Sequence, residues 1–404
     1  MKRVFKYLST FIAIFLVAVL TAGIIGPVKA QAASKKTVRV TTQKELDKAL
    51  KKSNVGTIIL RTQIHGNITI SSKKAKKKNI IIDAPFAAVE NKTKFKTVEL
   101  IQANKYIENV SGNTITAQMT NGLIVAKGKS IKKLTVTFAG ADFTIRKGAS
   151  IKNLSYNYGD SKSTYDKKTR ILTYIGMGYD GDGYTDNAVQ VLTLDKSGRV
   201  LTSTYIDYEG KEHLQAVEYD SNGNKTAKSD TIPSENKVVY MSKMEYDKND
   251  NLIYMTEDYF DGYATEYFYK YDADGRLISN VIDGSGYGSS RECKYDSNGW
   301  KIEEICFIGP DEPDPVTETH YFEYDKNGYL LREVDEYSYG TVTTSTYEYD
   351  KSGNNTYFTI RDDYDNGDVS EFKYKYEYDE YGDFKAVYVE LEPGNWVDAT
   401  EYAG

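Results

Sequence analysis

Residues 271–277 read Tyr-Asp-Ala-Asp-Gly-Arg-Leu, and this short stretch decides how the larger part of the chain folds. An aspartate at the start of a turn accepts a hydrogen bond from the backbone N–H two residues on. A glycine near the end of the turn adopts the left-handed conformation that closes a four-residue hairpin loop. The stretch therefore predicts the tip of one hairpin between two antiparallel strands.

The same pattern recurs along the rest of the chain, and the aspartates of successive copies are 24 to 29 residues apart. The copies begin at Tyr165, Leu194, Tyr219, Tyr246, Tyr271, Tyr295, Tyr324, Tyr349 and Tyr378. Between the tips, polar and aromatic residues alternate, so that Tyr267, Tyr269 and Tyr271 share one strand face. Because an isolated hairpin is marginal in water, the copies must pair edge to edge. We expect an elongated antiparallel β-sheet of hairpin repeats with one aromatic face.

This half of the chain resembles the YD-repeat (Rhs-type) family, whose motif runs aromatic-Asp-x-x-Gly-Arg-Leu. Residues 271–277 match that motif completely, whereas other copies keep Tyr-Asp and Gly but replace Arg-Leu, as in Asn224-Lys225 and Trp300-Lys301. The resemblance implies a secreted or surface β-scaffold, with carbohydrate binding suggested in the family. The toxin-delivery role of some members is not carried over, because the repeats are few for a closed shell.

Charge and tyrosine content divide the chain near residue 160. Residues 33–160 carry a net charge of +16, whereas the residues after position 160 carry −26. Of the 36 tyrosines, 34 lie at or beyond Tyr156. Because two independent shifts in composition coincide, we expect a basic domain over residues 33–160 and an acidic, tyrosine-rich domain over residues 161–404.

The basic domain begins with a helix signal and continues with short β-rich runs. Thr42 and Glu45 have the spacing of a capping box, and Leu46, Ala49 and Leu50 share one helical face. The runs that follow include residues 56–60, 68–70 and 79–84. This order resembles the start of pectate-lyase-like right-handed parallel β-helices, in which a helix covers one end. The fold class is therefore predicted to be all-β, with a right-handed parallel β-helix-like N-terminal domain and one capping helix; a small sandwich is the alternative.

Enzymes of the pectate-lyase superfamily generally use clustered carboxylates, often beside an arginine. The candidates here are scattered, and none forms a pair within a short motif: Asp83, Glu90, Glu99, Glu108, Asp142, Arg61 and Arg146. His65, His213 and His320 each lie alone, and His65 and His320 are predicted to be surface strand residues. We expect a non-enzymatic protein. The alternative is a polysaccharide lyase or glycoside hydrolase acting on an acidic glycan, with carboxylates that converge only in three dimensions.

Residues 1–32 have the layout of a secretory signal peptide. A basic start is followed by an apolar run over residues 11–25 and by the small-residue sequence Ala30-Gln31-Ala32. A retained membrane anchor is the weaker alternative. No later stretch has the length of about 20 apolar residues that a transmembrane helix needs. We expect a secreted protein, extracellular or associated with the cell surface, without a transmembrane segment after processing.

Lys92, Lys94 and Lys96 are predicted to share one strand face, a ladder suited to an anionic wall polymer or glycan. The alternative is a solvated lysine surface that protects a sheet edge. The acidic repeat sheet is expected either to project outward and meet a glycan or a protein partner, or to dock against the basic domain. Nucleic acid is not an expected partner of an exported protein.

Three further features are candidate sites. Trp300 and Trp396 are predicted to be exposed rings that stack on sugar, although tyrosine-rich faces are also typical of half-buried strands. Asp180, Asp182 and Asp186 resemble a short calcium loop, with an ordinary acidic hairpin loop as the alternative. Cys293 is predicted to face Ile302 rather than Cys306, so that both thiols are free.

Overall fold

The computed structural model describes residues 35–119, 122–137, 143–157, 162–179, 184–207, 209–260, 262–284, 287–309 and 316–400. The predicted signal peptide lies outside the described residues. The strands form two sheets, a parallel sheet of 11 strands and an antiparallel sheet of 19 strands. The fold is all-β, as predicted, and it begins with a parallel β-solenoid.

The solenoid contains the first eleven strands. These are β1 (Lys36–Val40), β2 (Val55–Arg61), β3 (Gly66–Ile70), β4 (Asn79–Asn91), β5 (Thr97–Glu108), β6 (Asn113–Ala117), β7 (Leu123–Val125), β8 (Ser130–Val136), β9 (Phe143–Ile145), β10 (Ser150–Ile151) and β11 (Leu154–Tyr156). Ile58, Ile80, Val98, Ile115 and Leu134 pair in parallel from coil to coil, and each is at most 1% exposed. Each such side chain contributes roughly 1.5–3 kcal/mol of burial, so this stack of aliphatic residues forms the solenoid core.

Helix α1 (Gln43–Lys51) covers the first coil. The Thr42 hydroxyl accepts a hydrogen bond from the Glu45 N–H, as the capping box predicts. The Glu45 carboxylate accepts from the Thr41 N–H at 2.9 Å instead of from the N-cap residue itself. Leu46 and Leu50 are buried, which confirms the predicted apolar face.

The repeat sheet contains the remaining strands in sequence order. These are β12 (Lys162–Asp166), β13 (Ile171–Tyr179), β14 (Tyr184–Leu194), β15 (Val200–Ile206), β16 (Glu212–Tyr219), β17 (Lys225–Ile232), β18 (Lys237–Tyr246), β19 (Leu252–Asp258), β20 (Ala264–Tyr271), β21 (Leu277–Gly284), β22 (Tyr287–Tyr295), β23 (Lys301–Ile308), β24 (Val316–Tyr324), β25 (Leu330–Tyr337), β26 (Val342–Tyr349), β27 (Asn355–Asp363), β28 (Val369–Tyr378), β29 (Phe384–Glu392) and β30 (Asn395–Asp398). A short 3-10 helix, Pro233–Glu235, connects β17 and β18.

The tip at Asp272 has the predicted turn chemistry. Its carboxylate accepts hydrogen bonds from the N–H groups of Asp274 and Arg276, both at 2.9 Å, and Gly275 has a φ of 78°. In the copy that starts at Tyr246, Asp250 takes the place of the glycine with a φ of 64°. The repeated aspartate therefore closes each hairpin by satisfying backbone donors.

A β-bulge beside the repeated tyrosine was not predicted. The register shifts between Lys270 and Tyr271, and it shifts likewise between Lys294 and Tyr295. The tip pairs Tyr295 with Lys301, one position beyond the predicted partner, and the bulge adds a second position. Cys293 therefore lies opposite Glu304, and the predicted pairing with Ile302 is wrong. Both cysteines are free thiols, as predicted.

The repeat sheet docks on the solenoid through its hairpin tips. Ser197 and Asn222 accept backbone hydrogen bonds from Ile151 and Lys147, both at 2.7 Å. Near the other end, Gly328 accepts from the His65 N–H at 2.8 Å. The first tips thus contact the last coils, and the later tips contact the early coils. Of the two arrangements that the sequence left open, the structure has the docked one.

Candidate functional site

A set of exposed lysines follows the loops that lead from one coil of the solenoid to the next, and we name it the lysine edge. It comprises Lys73, Lys74, Lys76, Lys77, Lys92, Lys94, Lys96 and Lys127. The loops lie in register, because Lys96 donates its backbone N–H to Lys78 O and Lys92 donates to Ile70 O, both at 2.8 Å. Adjacent coils are therefore about 4.8 Å apart, as strands of one sheet are.

The placement of Lys92, Lys94 and Lys96 differs from the prediction. They lie on the loop between β4 and β5 and not on a strand. Thr93 and Phe95 between them are buried, so the three lysines still point outward together. Lys92 forms an ion pair with Glu90 at 2.8 Å, in which both side chains are partly exposed.

A second feature lies between the two sheets. A cavity of about 390 Å³, which we name the interface cavity, is bounded by loops of the solenoid and by one face of the repeat sheet. The solenoid contributes Arg39, Arg61, His65, Asp83 and Phe86. The repeat sheet contributes Lys301, Tyr324, Glu333, Tyr349, Asn355 and Tyr378, among others.

Two arginines of the interface cavity have different electrostatic surroundings. Arg61 bridges the two halves, because its guanidinium lies 2.9 Å from Asp83 and 2.6 Å from Asp383. Burial lowers the pKa of Arg61, but these two carboxylates more than offset that effect and raise it. For Arg39, burial and the neighbouring Arg61 charge lower the pKa. Both side chains remain cationic, since an arginine titrates far above neutral pH.

His65 lies on the loop between β2 and β3 and faces the interface cavity, so its prediction as a surface strand residue is wrong. Its ring stacks on Phe86 with the ring centres 4.6 Å apart, and it meets the edge of Tyr324 at 5.0 Å. Burial, together with the charge of Lys301, lowers the pKa of His65 to about 4. The imidazole is therefore neutral at neutral pH.

The two tryptophans are half-buried, so their prediction as exposed rings is wrong. The Trp300 ring lies against Gly66 and Gly328 where the halves meet, and a Cβ at Gly328 would be 3.1 Å from that ring. Trp396 is covered on one side by the Lys375 ammonium, 3.7 Å from the ring centre. Docking and strand pairing, which sequence patterns do not report, account for this burial. Sugar binding by either ring stays a prediction.

Two histidines of the repeat sheet have carboxylate partners that the sequence did not reveal. His213 lies 3.0 Å from Asp207 and 2.8 Å from Asp230. Burial lowers the pKa of His213, but the hydrogen bonds to these two carboxylates outweigh it and raise the pKa. The prediction that each histidine lies alone is wrong, because strand register joins residues that are 15 to 17 positions apart.

The second histidine, His320, forms a cluster with Glu333 and Asp335, and the ligand atoms of the three lie within 4.8 Å of one another. The 2.6 Å contact between His320 and Asp335 raises the pKa of the imidazole. Because a protonated imidazole is no metal ligand, this ion pair competes with cation binding. Of the calcium-loop candidates, Asp180, Asp182 and the Asp186 side chain lie outside the described residues.

The carboxylates that were candidates for an acid–base pair have other partners. Glu90 binds Lys92 and Asn109, and Glu99 contacts Gln118. Glu108 is enclosed by the side chains of Tyr106, Asn91 and Asn113, and burial raises its pKa to about 7. Asp83 forms an ion pair with Arg61. Asp142 lies outside the described residues. Among the described candidates, none of these carboxylates forms a contact with another of them.

Comparisons with known proteins leave the family open. No family model and no curated protein matches the chain. A solved TcdB2-TccC3-Cdc42 structure is 12% identical over 59% of this chain and 16% of that chain, with a TM-score of 0.24. TcdB2-TccC3 without its hypervariable C-terminal region overlaps 57% of this chain and 16% of that chain, at 12% identity and a TM-score of 0.27.

A porin-like protein from Bacteroides uniformis overlaps 53% of this chain and 86% of that protein, at 12% identity and a TM-score of 0.21. This chain thus spans about a sixth of the length of the TcdB2-TccC3 chains. Structural similarities with identities and TM-scores this low establish no function, and membership of the YD-repeat family stays a prediction. Within the described part of the chain, no helix is long and apolar enough to cross a membrane.

Proposed function

We propose that this chain is a non-enzymatic binding protein of the bacterial cell surface, which attaches to an anionic wall polymer or acidic glycan through the lysine edge. The signal-like residues 1–32 support export. The observation that carries the proposal is the alignment of exposed lysines on successive, hydrogen-bonded coil loops. Positive charges that face solvent together on stacked loops attract a polymer with repeated negative groups and repel other cationic surfaces.

The docked arrangement supports this division of roles. The hairpin tips bind backbone groups of His65, Lys147 and Ile151, whereas Lys73, Lys94 and Lys96 are exposed on other loops. Carboxylates of the repeat sheet also form ion pairs with solenoid arginines, namely Arg61 and Arg146, while these lysines face solvent. The attraction should weaken with salt, because exposed charges are screened beyond about 8 Å at physiological ionic strength.

Binding of the chain from residue 33 onward to immobilised polygalacturonate, at low and high salt, tests the proposal. The triple variant Lys92→Gln/Lys94→Gln/Lys96→Gln should bind at least about tenfold more weakly at low salt. The matched control is Lys248→Gln/Lys326→Gln/Lys351→Gln, which removes the same charge from exposed tips of the repeat sheet. If both variants lose binding equally, net charge is the cause and the lysine edge is not the site.

A further inference from the structure

The interface cavity contains buried polar atoms that lack a partner among the described residues. Asn355 is 7% exposed, and neither the nitrogen nor the oxygen of its side-chain amide has a hydrogen-bond partner there. The Nε atom of Arg39, which lines the same cavity, also lacks a partner. Buried polar groups are normally hydrogen-bonded, and unsatisfied ones in a cavity point to a ligand that completes them.

The position of Asn355 is set by the hairpin repeat. The preceding residue, Asn354, has the usual role at a tip, because its backbone and side chain both donate to Asp350. Asn355 begins β27 opposite Tyr349, and its amide is not used by the turn. A free amide can donate to one ligand atom and accept from another, which is the pattern that a hydroxyl group matches.

Arg39 supplies a cation that neighbouring carboxylates attract without forming an ion pair. Arg61 is balanced by Asp83 and Asp383, both within hydrogen-bond distance. Arg39 forms no ion pair with any described residue, and it lies against the tip at Gly382, where a Cβ would come within 2.6 Å of its guanidinium. A guanidinium held in this way binds a carboxylate well, because the two planar groups match in geometry.

About half of the remaining lining residues are aromatic, and the others include one further acidic and one further basic side chain. Tyr324, Tyr349 and Tyr378 line the repeat side of the cavity, and Phe86 lines the solenoid side. Aromatic rings present flat apolar faces, and tyrosine adds a polar tip. A volume of about 390 Å³ lies within the range of small-molecule sites, roughly 300–1,000 Å³.

A ligand that satisfies all three features has hydroxyl groups, a flat face of C–H groups and a negative charge. We propose that the interface cavity binds the ring of an acidic sugar, with its carboxylate at Arg39 and a ring hydroxyl at Asn355. This site is formed by residues other than the lysine edge, so each of the two sites can fail without the other. Because the cavity joins both halves, an occupied site would also hold the repeat sheet against the solenoid.

Calorimetric titration of the chain from residue 33 onward with D-glucuronic acid tests the site, with D-glucose and acetate as comparators. We expect glucuronic acid to bind at least about tenfold more tightly than either comparator, since only it has both the ring and the charge. No saturable binding of glucuronic acid, or equal binding of all three, would overturn the proposal.

Two variants separate the contacts. Arg39→Gln should abolish the preference for glucuronic acid over glucose. Asn355→Leu should weaken the binding of both glucuronic acid and glucose. The melting temperature should stay the same or rise, because the substitution removes an unsatisfied buried amide. The matched controls are Arg170→Gln and Asn280→Leu, whose half-buried side chains each have one buried, unpartnered atom but do not line this cavity. Controls that lose binding as the two variants do would contradict the assignment.

A disaccharide with glucuronic acid at its non-reducing end distinguishes the source of the sugar. Binding as tight as that of the monosaccharide assigns the site to the terminus of a glycan. Rejection of the disaccharide alongside binding of the monosaccharide assigns it to the free sugar. Polygalacturonate retention by Arg39→Gln, measured as for the lysine edge, should stay at the wild-type level, so that failure at one site is not mistaken for failure at the other.

Discussion

The solenoid and the repeat sheet bury different kinds of side chain. Ile58, Ile80 and Leu134 of the solenoid are stacked and almost fully buried. Buried residues of the repeat sheet include many polar and charged ones, such as Asp230 and Glu304, which are 5% and 7% exposed. The solenoid core is therefore mainly aliphatic, apart from a buried polar cluster around Glu108, whereas the repeat sheet depends more on hydrogen-bonded charges and on docking.

The largest effect should come from the aliphatic stack. Ile80→Ala removes buried methyl groups and leaves a cavity between two coils, so we expect the free energy of unfolding to fall by about 4 kcal/mol. Ile278→Ala in the repeat sheet is the matched control, because Ile278 is 36% exposed, and its cost should be below about 1 kcal/mol. Urea unfolding of both variants measures the difference. Equal costs would show that the two halves do not differ in this way.

The next effect should come from the ion pairs that join the halves. Arg61→Met leaves Asp83 without its partner, and breaking a buried pair in this way costs about 3 kcal/mol. Adding Asp83→Asn to that variant removes the stranded charge and should restore part of the loss. Thermal unfolding monitored by circular dichroism checks both. If Arg61→Met unfolds like the wild type, the bridge between the sheets contributes nothing.

Two histidines should respond to pH in opposite directions. His65 has its pKa lowered to about 4, so its contribution is complete above about pH 6.5 and is lost as pH falls towards 4. His213 has its pKa raised, so its contribution is complete below about pH 6.5 and is lost as pH rises through the folded pKa. The free energy of unfolding falls as the pH is lowered from 6.5 to 4, and His65→Gln should make that fall smaller by about 2 kcal/mol. His213→Gln should instead reduce the loss of unfolding free energy that occurs as the pH rises above about 6.5.

Unfolding curves collected from pH 4 to pH 9 distinguish these responses. A His65→Gln variant that keeps the acid sensitivity of the wild type would show that the neutral ring at the docked interface is not its cause.

The smallest effect should be that of a single hairpin tip. Asp272→Ala removes the acceptor of two backbone N–H groups and should cost about 1 kcal/mol. The exposed carboxylate of Asp274, 75% accessible, offers the control, since Asp274→Ala should change stability by less than about 0.5 kcal/mol. Denaturant midpoints measured side by side would contradict the turn chemistry if the two variants coincide.

Local chemistry explains what the sequence predicted. The cap at Thr42, the buried face of Leu46 and Leu50 and the tip aspartates all depend on neighbours within a few positions. The fold class followed from those local signals and from the periodicity of the repeat.

What the sequence missed depends on register and docking. The register of the tip and a bulge beside Tyr295 each shift the pairing by one position, so Cys293 lies opposite Glu304 and not Ile302. The strand register also places Asp335 beside His320. His65 and Asn355 line the same cavity only because the two sheets are docked. A bulge leaves no clear local pattern, and contacts between distant segments need the relative position of the two sheets.

The most direct test of polymer binding by the lysine edge is protection of individual lysines from acetylation by an amine-reactive reagent, read by mass spectrometry with and without polygalacturonate. If the lysine edge binds the polymer, Lys92, Lys94 and Lys96 become protected while Lys248 and Lys351 at the repeat tips react as before. Protection of the repeat-tip lysines with no change at the lysine edge would contradict it.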